Sequence, residues 1–429
     1  RQSDGTRVDL WSSRYVLAVG WGTPVRIDSE DLGDVLSHTS WIDDDGNVAV
    51  LWRQSDGSRI NLWAARWTSS GWGAAIEIDN EDLGDVSSPV AVVDAAGSVT
   101  AAWAQSDGTR TNVWANRFTT AFGWAVATKI ESEDLGDAET PKLALQSTAV
   151  LAVWRQSDGS RVNLWSNRMV AGAGWGAASE IESEDLGDVD TPELVVDTTD
   201  DVTVVWAQSD GVRRNLWTNR YDVGSGWGTA AIIDDRDGTV AEVRLFSDSE
   251  DRVTAIWTQS DGTRNDLIAS TYEEGSAWDT PEDIESEELG DALLVAAGVV
   301  DDLDTLTVVW QQDNGSRRNQ WANRRRALSG WETATKIESE DLGDTRRAQL
   351  VIDDSGNVTV VWRQDNGTRL DQWANRYVNR FGWDTAEIID VGDGDVQPRT
   401  LVIDSRGRVT AIWPQSNGTN DDLWANRLR

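Results

Sequence analysis

Between residues 348 and 390 the chain alternates short apolar runs with polar, turn-forming ones. The run AQLVID (Ala348–Asp353) is a short strand, DSGN turns the chain, and VTVVWRQ (Val358–Gln364) is a second strand rich in β-branched residues. DNG then supplies an Asn366–Gly367 pair able to take the positive φ values of a tight hairpin turn. LDQWANRY is a third strand, and after a Gly–Trp turn TAEIID (Thr385–Asp390) is a fourth. The pattern predicts a four-stranded antiparallel meander, one blade, followed by a loop to the next.

This unit recurs. Gln-Ser-Asp-Gly or a close variant begins at Gln2, Gln54, Gln105, Gln156, Gln208, Gln259, Gln312, Gln364 and Gln415, at spacings of 51 to 53 residues. A period near 50 made of short strands points to propeller blades rather than a helical solenoid. Tryptophan follows the same period: in the second strand (Trp52 through Trp413), in the third (Trp11 through Trp424) and in the Gly–Trp turn. Each blade packs a neighbour on both faces, which accounts for apolar bulk on both faces of its strands. The expected fold class is all-β, an eight-bladed β-propeller of four-stranded antiparallel blades forming a single domain over residues 1–429. Nine copies of the third strand against eight of each other strand leave one surplus copy, Val8 to Tyr15 or Asp422 to Arg427. The expected closure puts the N-terminal fourth strand, near Val25 to Ile27, beside the C-terminal strands around Leu401, Ile412 and Trp424.

Charge narrows the partners. With 74 acidic against 38 basic residues the net charge is −36, and such a chain repels nucleic acid and anionic membrane. No apolar run approaches the roughly 20 residues of a membrane span. With no cysteine, thiolate metal sites and cysteine nucleophiles are excluded, and the single histidine, His38, rules out a multi-histidine zinc site. The chain opens at Arg1 in mid-repeat, the pattern of a trimmed precursor that has lost a signal peptide or of a section of a longer protein.

The motifs QSDGTR, NLWANRY and GWGTA, present in blade after blade, resemble those of tandem-repeat β-propellers of bacterial extracellular proteins. The resemblance covers the whole chain and implies a cell-surface or secreted location. More loosely, the chain is similar to propeller lectins, which implies sugar binding between or within blades. The sialidase Asp-box, Ser-x-Asp-x-Gly-x-Thr-Trp, is not matched by SDGTRVDLW.

Three readings stand for the recurrent acidic loop, SEDLGD or a close copy. Topology puts it on the same face as the SDGTR hairpins, so Glu30, Asp31 and Asp34 neighbour Arg7 and Arg59; Glu81, Asp82 and Asp85 neighbour Arg110; and Glu133, Asp134 and Asp137 neighbour Arg161. These carboxylates are ion-paired and solvated, or they hold calcium, which takes six to eight oxygens from flexible loops, or they meet a cationic or polar partner. The third-strand arginines, Arg66 and Arg117 among them, are expected to reach a carboxylate on an adjacent blade. The NGS and NGT triplets at Asn314, Asn366 and Asn417 fit glycan acceptors and equally fit hairpin turns.

The leading functional expectation is a non-catalytic multivalent binder of carbohydrate or another polar ligand, without a cofactor unless calcium. It would use the Gly–Trp rings Trp21, Trp72, Trp124, Trp175, Trp227, Trp331 and Trp383 with Arg7, Arg59, Arg110 and Arg161. The alternative is a structural surface protein that self-associates through the surplus strand. A carboxylate-based glycosidase is the third reading. It would need to break the symmetry of the repeats, near Asp235, Asn265 or Asp393.

Overall fold

A computed structural model describes residues 1–429 except 4, 17–18, 29–32, 80–83, 132–134, 183–186, 286–289, 328, 341 and 429, and the side chains of 294–296. The described chain is all-β, and its fold class is an eight-bladed β-propeller: eight antiparallel sheets open at Val35, Val86, Ala138, Glu193, Val240, Ala292, Thr345 and Thr400. It divides into two compact units, residues 1–194 with 219–230 and residues 195–218 with 231–429. The first unit holds the complete blades opening at Val35, Val86 and Ala138. The second holds those opening at Val240, Ala292 and Thr345, with the three-stranded sheet opening at Thr400.

The blade opening at Val86 shows the construction. Val86–Val93, Val99–Ser106 and Thr111–Thr119 pair in sequence, with Trp103 opposite Trp114. The expected fourth strand is two short pieces, Gly123–Trp124 and Thr128–Lys129, both laddered onto the third strand. Phe118 faces Trp124 and Ala115 faces Thr128, so the register slips by one residue between the pieces. A second bulge interrupts the first strand between Ser87 and Val90. It recurs in other blades and holds Ser88, Thr140 and Glu242 at φ 46–48°, a region costly for a residue with a Cβ.

Cores lie between consecutive blades. Leu51, Leu62, Ala64 and Ile78 of one blade pack on Val86, Ala101 and Trp103 of the next. The eight second-strand tryptophans are 0–2 % exposed. Burying each such ring removes about 200 Å² from water, on the order of 5 kcal/mol as an upper figure. The asparagine of WANR bolts blades together: the Nδ2 of Asn116 donates to Ile78 O of the preceding blade at 2.9 Å and to Ala125 O of its own at 3.0 Å. The same bond to the preceding blade recurs from Asn167, Asn323, Asn375 and Asn426.

The terminal strands are used differently from the expected closure. Val25–Arg26 pairs with Trp11–Ser12, so the N-terminal third-strand copy holds the fourth strand that the sequence places beside the C-terminal strands. Asp421–Leu428 pairs with Val409–Ser416 in a three-stranded sheet. Both terminal copies of the third strand are therefore paired among the described residues.

Candidate functional site

The acidic loop ends in Gly–Asp, and those two residues have a defined task. Asp34 Oδ1 accepts the N–H of Val8, Asp85 that of Ile60, and Asp137 that of Thr111, at 2.8, 2.8 and 2.7 Å. Asp291, Asp344 and Asp395 repeat the bond in the second unit. In each case the aspartate caps the start of the third strand in the blade just left. The glycine before it lies against the hairpin of the blade being entered: Gly33 N donates to Ser55 O at 2.7 Å. A Cβ on Gly33 would sit 2.8 Å from that oxygen, and one on Gly84 2.7 Å from Ser106 O, so only glycine fits. Of the nine loop carboxylates named as calcium ligands, Asp34, Asp85 and Asp137 thus hold backbone N–H groups. Glu30, Asp31, Glu81, Asp82, Glu133 and Asp134 lie outside the described residues.

Beneath the loop runs a polar clasp that sequence reasoning missed. The acid following the fourth-strand isoleucine, Asp28, Asp79, Glu131, Asp234 or Asp390, is buried. Asp79 accepts the N–H of Leu62 at 2.8 Å and the Nε2 of Gln105, from the next blade, at 3.2 Å. Gln105 Nε2 also donates to Gly84 O, while its Oε1 accepts from Trp103 Nε1 at 3.0 Å. All eight second-strand indoles donate to the glutamine two residues on. The glutamine of QSDG therefore ties the buried ring to the preceding blade's acid. Burial pushes Asp79 and Glu131 up to about 7 and Glu285 up to about 8, the last helped by neighbouring Asp266.

The hairpin arginines complete this layer. Arg7 Nε lies 3.0 Å from Asp9 Oδ1, Arg59 Nε 3.6 Å from Asp56, and Arg110 Nε donates to Asn112. Arg369 reaches Asp371 at 2.6 Å and the buried Asp390 at 3.8 Å. Arg161 occupies the same half-buried position, its backbone N–H on Asp158. The hairpin aspartate itself is spent on the turn: Asp158 Oδ1 accepts from Arg161 N, Ser160 Oγ and Ser160 N, which hold it at about 2. Asn314 and Asn366 accept the equivalent bonds through Oδ1.

The Gly–Trp rings are wedges with one side open. Trp72, Trp124, Trp175, Trp227, Trp331 and Trp383 are half-buried; Trp21 is 56 % exposed. Trp72 Nε1 donates to Ser12 Oγ at 2.7 Å and Trp227 Nε1 to Ser166 Oγ at 2.9 Å, each on the preceding blade. Their edges meet the third-strand aromatic of their own blade, as in Tyr221–Trp227 and Tyr377–Trp383 at 5.4 and 5.5 Å between centroids. Beside Ala374, where no described Gly–Trp turn covers the corresponding position, the slot is a cleft of about 380 Å³. Asn375, Arg376, Asp384, Thr385 and Glu387 line it against Ala374, Val409 and Leu428.

One expectation is corrected. The third-strand arginines pair within their own blade, Arg66 with Asp43 at 2.6 Å, Arg117 with Asp94 and Arg376 with Asp353 at 2.8 Å. The first turn and the far end of the third strand lie at the same edge of one blade, which brings them together. What these arginines offer the next blade is a cation over its aromatic ring, Arg14 over Trp67 at 4.1 Å and Arg324 over Tyr377 at 4.0 Å.

Among the described residues no group of three or more His, Cys, Asp or Glu is placed to hold a metal ion, and no helix is long and apolar enough to cross a membrane. No protein-family model and no curated protein matches the chain. Solved structures similar to it in fold include an ulvan lyase, a polysaccharide lyase, at 9% identity over 84% of this chain and 96% of that one, TM-score 0.48. They also include a mutant of AofleA from Arthrobotrys oligospora, at 13% identity over 83% and 87%, TM-score 0.35. A mutant of the Aleuria aurantia lectin with α-methyl-L-fucoside matches at 13% identity over 70% and 93%, TM-score 0.34.

Proposed function

We propose that this chain is a non-catalytic, multivalent binding module of the cell surface or secreted space, taking carbohydrate or another polar ligand at its Gly–Trp turns. The observation that carries this reading is the recurrence of a half-buried indole at the Gly–Trp turn, from Trp72 to Trp383. A sugar presents an apolar C–H face and a polar rim, and needs an aromatic face with hydrogen-bonding groups beside it. A cleft on the blade that carries Trp383 is lined by the polar groups of Asn375, Arg376, Asp384, Thr385 and Glu387. Repetition favours binding over catalysis, because a reaction needs one pair of groups tuned apart and the copies here are nearly alike. Several weak sites on one chain add through avidity.

A glycan array of the purified chain, followed by Trp124→Ala and the double variant Trp124→Ala/Trp175→Ala, tests this. Retention that falls more steeply in the double variant than the single losses predict supports a multivalent binder. Turnover of a glycoside panel without retention would replace it with an enzyme. A second reading, self-association, rests on the exposed apolar residues Trp11, Tyr15, Val19 and Trp21 and, separately, Leu423 and Trp424. Mass photometry across concentration decides it, a constant monomer mass ending the idea.

A further inference from the structure

Five positions before the residue that opens a blade's first turn the chain has Pro89, Pro141, Pro192, Val243 and Ala348 in five blades and His38 in the blade opening at Val35. In the blade opening at Thr400 the same position is Arg399, and it is only 6 % exposed. Its Nη2 donates to Arg347 O at 2.6 Å and to Val361 O, both on the preceding blade. Its Nε is buried without a partner.

The surroundings are cationic. Arg346 stands directly opposite Arg363 across the first two strands of the preceding blade, a like-charge pair that costs stability when nothing lies between. Arg363 Nε is also buried without a partner, as are Arg53 Nε and Arg155 Nε at the same place in other blades, where no second arginine stands opposite them. The charge of Arg363 acts on Arg399 and that of Arg346 on Arg363; burial and this repulsion lower both, Arg399 to about 9. The charges of Arg244 and Arg347 act on Glu242. In a chain of net charge −36, no described carboxylate forms an ion pair with Arg346, Arg363 or Arg399.

We infer that Arg346, Arg363 and Arg399 form an oxyanion site, built to take a carboxylate, sulfate or phosphate group through the buried guanidinium N–H donors of Arg363 and Arg399. Guanidinium suits these anions because its planar fork of donors matches their oxygens and stays charged when desolvated. An anion there would bond the two idle Nε–H groups and relieve the repulsion among three cations. If the anion is carried on a saccharide, as the reading above allows, the ligand class narrows to acidic glycans; that part alone rests on the reading.

The test is calorimetric titration of the full chain with sodium sulfate, an oligogalacturonate and a neutral oligogalactose, at ionic strength held constant with sodium chloride. The variants are Arg399→Ala, which places at this position the residue that Ala348 already supplies in the neighbouring blade, and Arg363→Gln. Saturable sulfate binding that weakens by about tenfold or more in both variants is expected. Displacement of sulfate by oligogalacturonate identifies a saccharide-borne anion, and lack of displacement a free one. Sulfate heats that do not saturate, or that are equal in the parent and a folded Arg399→Ala protein, overturn the site. Neutral-sugar binding without saturable anion binding would sink this inference and leave the binding module standing; sulfate binding lost in Arg399→Ala with no glycan retained would do the reverse.

Discussion

Trp103 and Trp124 belong to the same blade, recur with the same period and are chemically identical, but they have different surroundings. Trp103 is fully buried and its indole N–H is spent on Gln105. Trp124 sits on a two-residue strand piece after a glycine at φ 76°, tilted against Phe118 and packed on the rim of the core, half-buried. The difference lies in what the backbone delivers: a central strand places a ring between two sheets, whereas a turn at a broken outer strand leaves part of it facing water. Frequency of a residue therefore says little about its task.

Four measurements would break or sharpen this contrast. The largest effect is expected from Trp103→Ala, about 4 kcal/mol less stable in denaturant titration, because a fully enclosed ring leaves a cavity and strands the Gln105 amide. Gln105→Ala should follow at about 2–3 kcal/mol, since it leaves Trp103 Nε1 and the Asp79 carboxyl without their partner. Gly84→Ala, whose Cβ would lie 2.7 Å from Ser106 O, is expected to cost about 1–3 kcal/mol by forcing loop and hairpin apart. Trp124→Ala should cost least, about 1–2 kcal/mol by thermal melting, while weakening ligand retention most. If Trp124→Ala proves as destabilising as Trp103→Ala, the outer ring is core and the proposed binding surface is lost.

The clasp also fixes a pH dependence. Asp79, Glu131 and Glu285 have raised values, so between the ordinary carboxylate range and about 7–8 the native chain holds protons the unfolded chain has released. Stability from these groups is full below the ordinary carboxylate range, falls as pH rises above it and is lost once pH passes 7–8. The hairpin aspartates Asp158, Asp210 and Asp261, held at about 2 by turn hydrogen bonds, act in the opposite sense. Their contribution is present above the ordinary value near 3.8 and is lost as pH falls toward 2. Melting temperature should therefore peak at about pH 4, where the two limbs meet. Asp79→Asn should flatten the alkaline limb and leave the acid limb in place.

Strand periodicity, the Asn-Gly and Asp-Gly hairpins and the tryptophan addresses were all readable from the sequence, because each is a local rule of the backbone. The clasp was not. The acid of Ile78–Asp79 looks like the start of one more acidic loop, and only folding shows that it points inward to Leu62 N and Gln105 while Asp85 turns to Ile60 N. Arg399 was hidden for a similar reason. It is ordinary in composition, and becomes exceptional only when aligned with Ala348 and Val243 and found buried. Symmetry-breaking positions near Asp235 and Asp393 lie in loops, whereas the odd residue that is enclosed stands just before a strand.

The Gly–Asp splice reaches back to the hairpin just left and forward to the hairpin being entered, and no farther. Each such contact is a first-neighbour rule, repeated from blade to blade except at Gly238–Thr239, where the aspartate is missing. A gene of this kind can gain or lose a whole repeat by unequal recombination, and every junction in the product obeys the same rules as before. Copy number is then free to drift while the blade stays fixed, and the number of Gly–Trp rings can change without inventing a new contact.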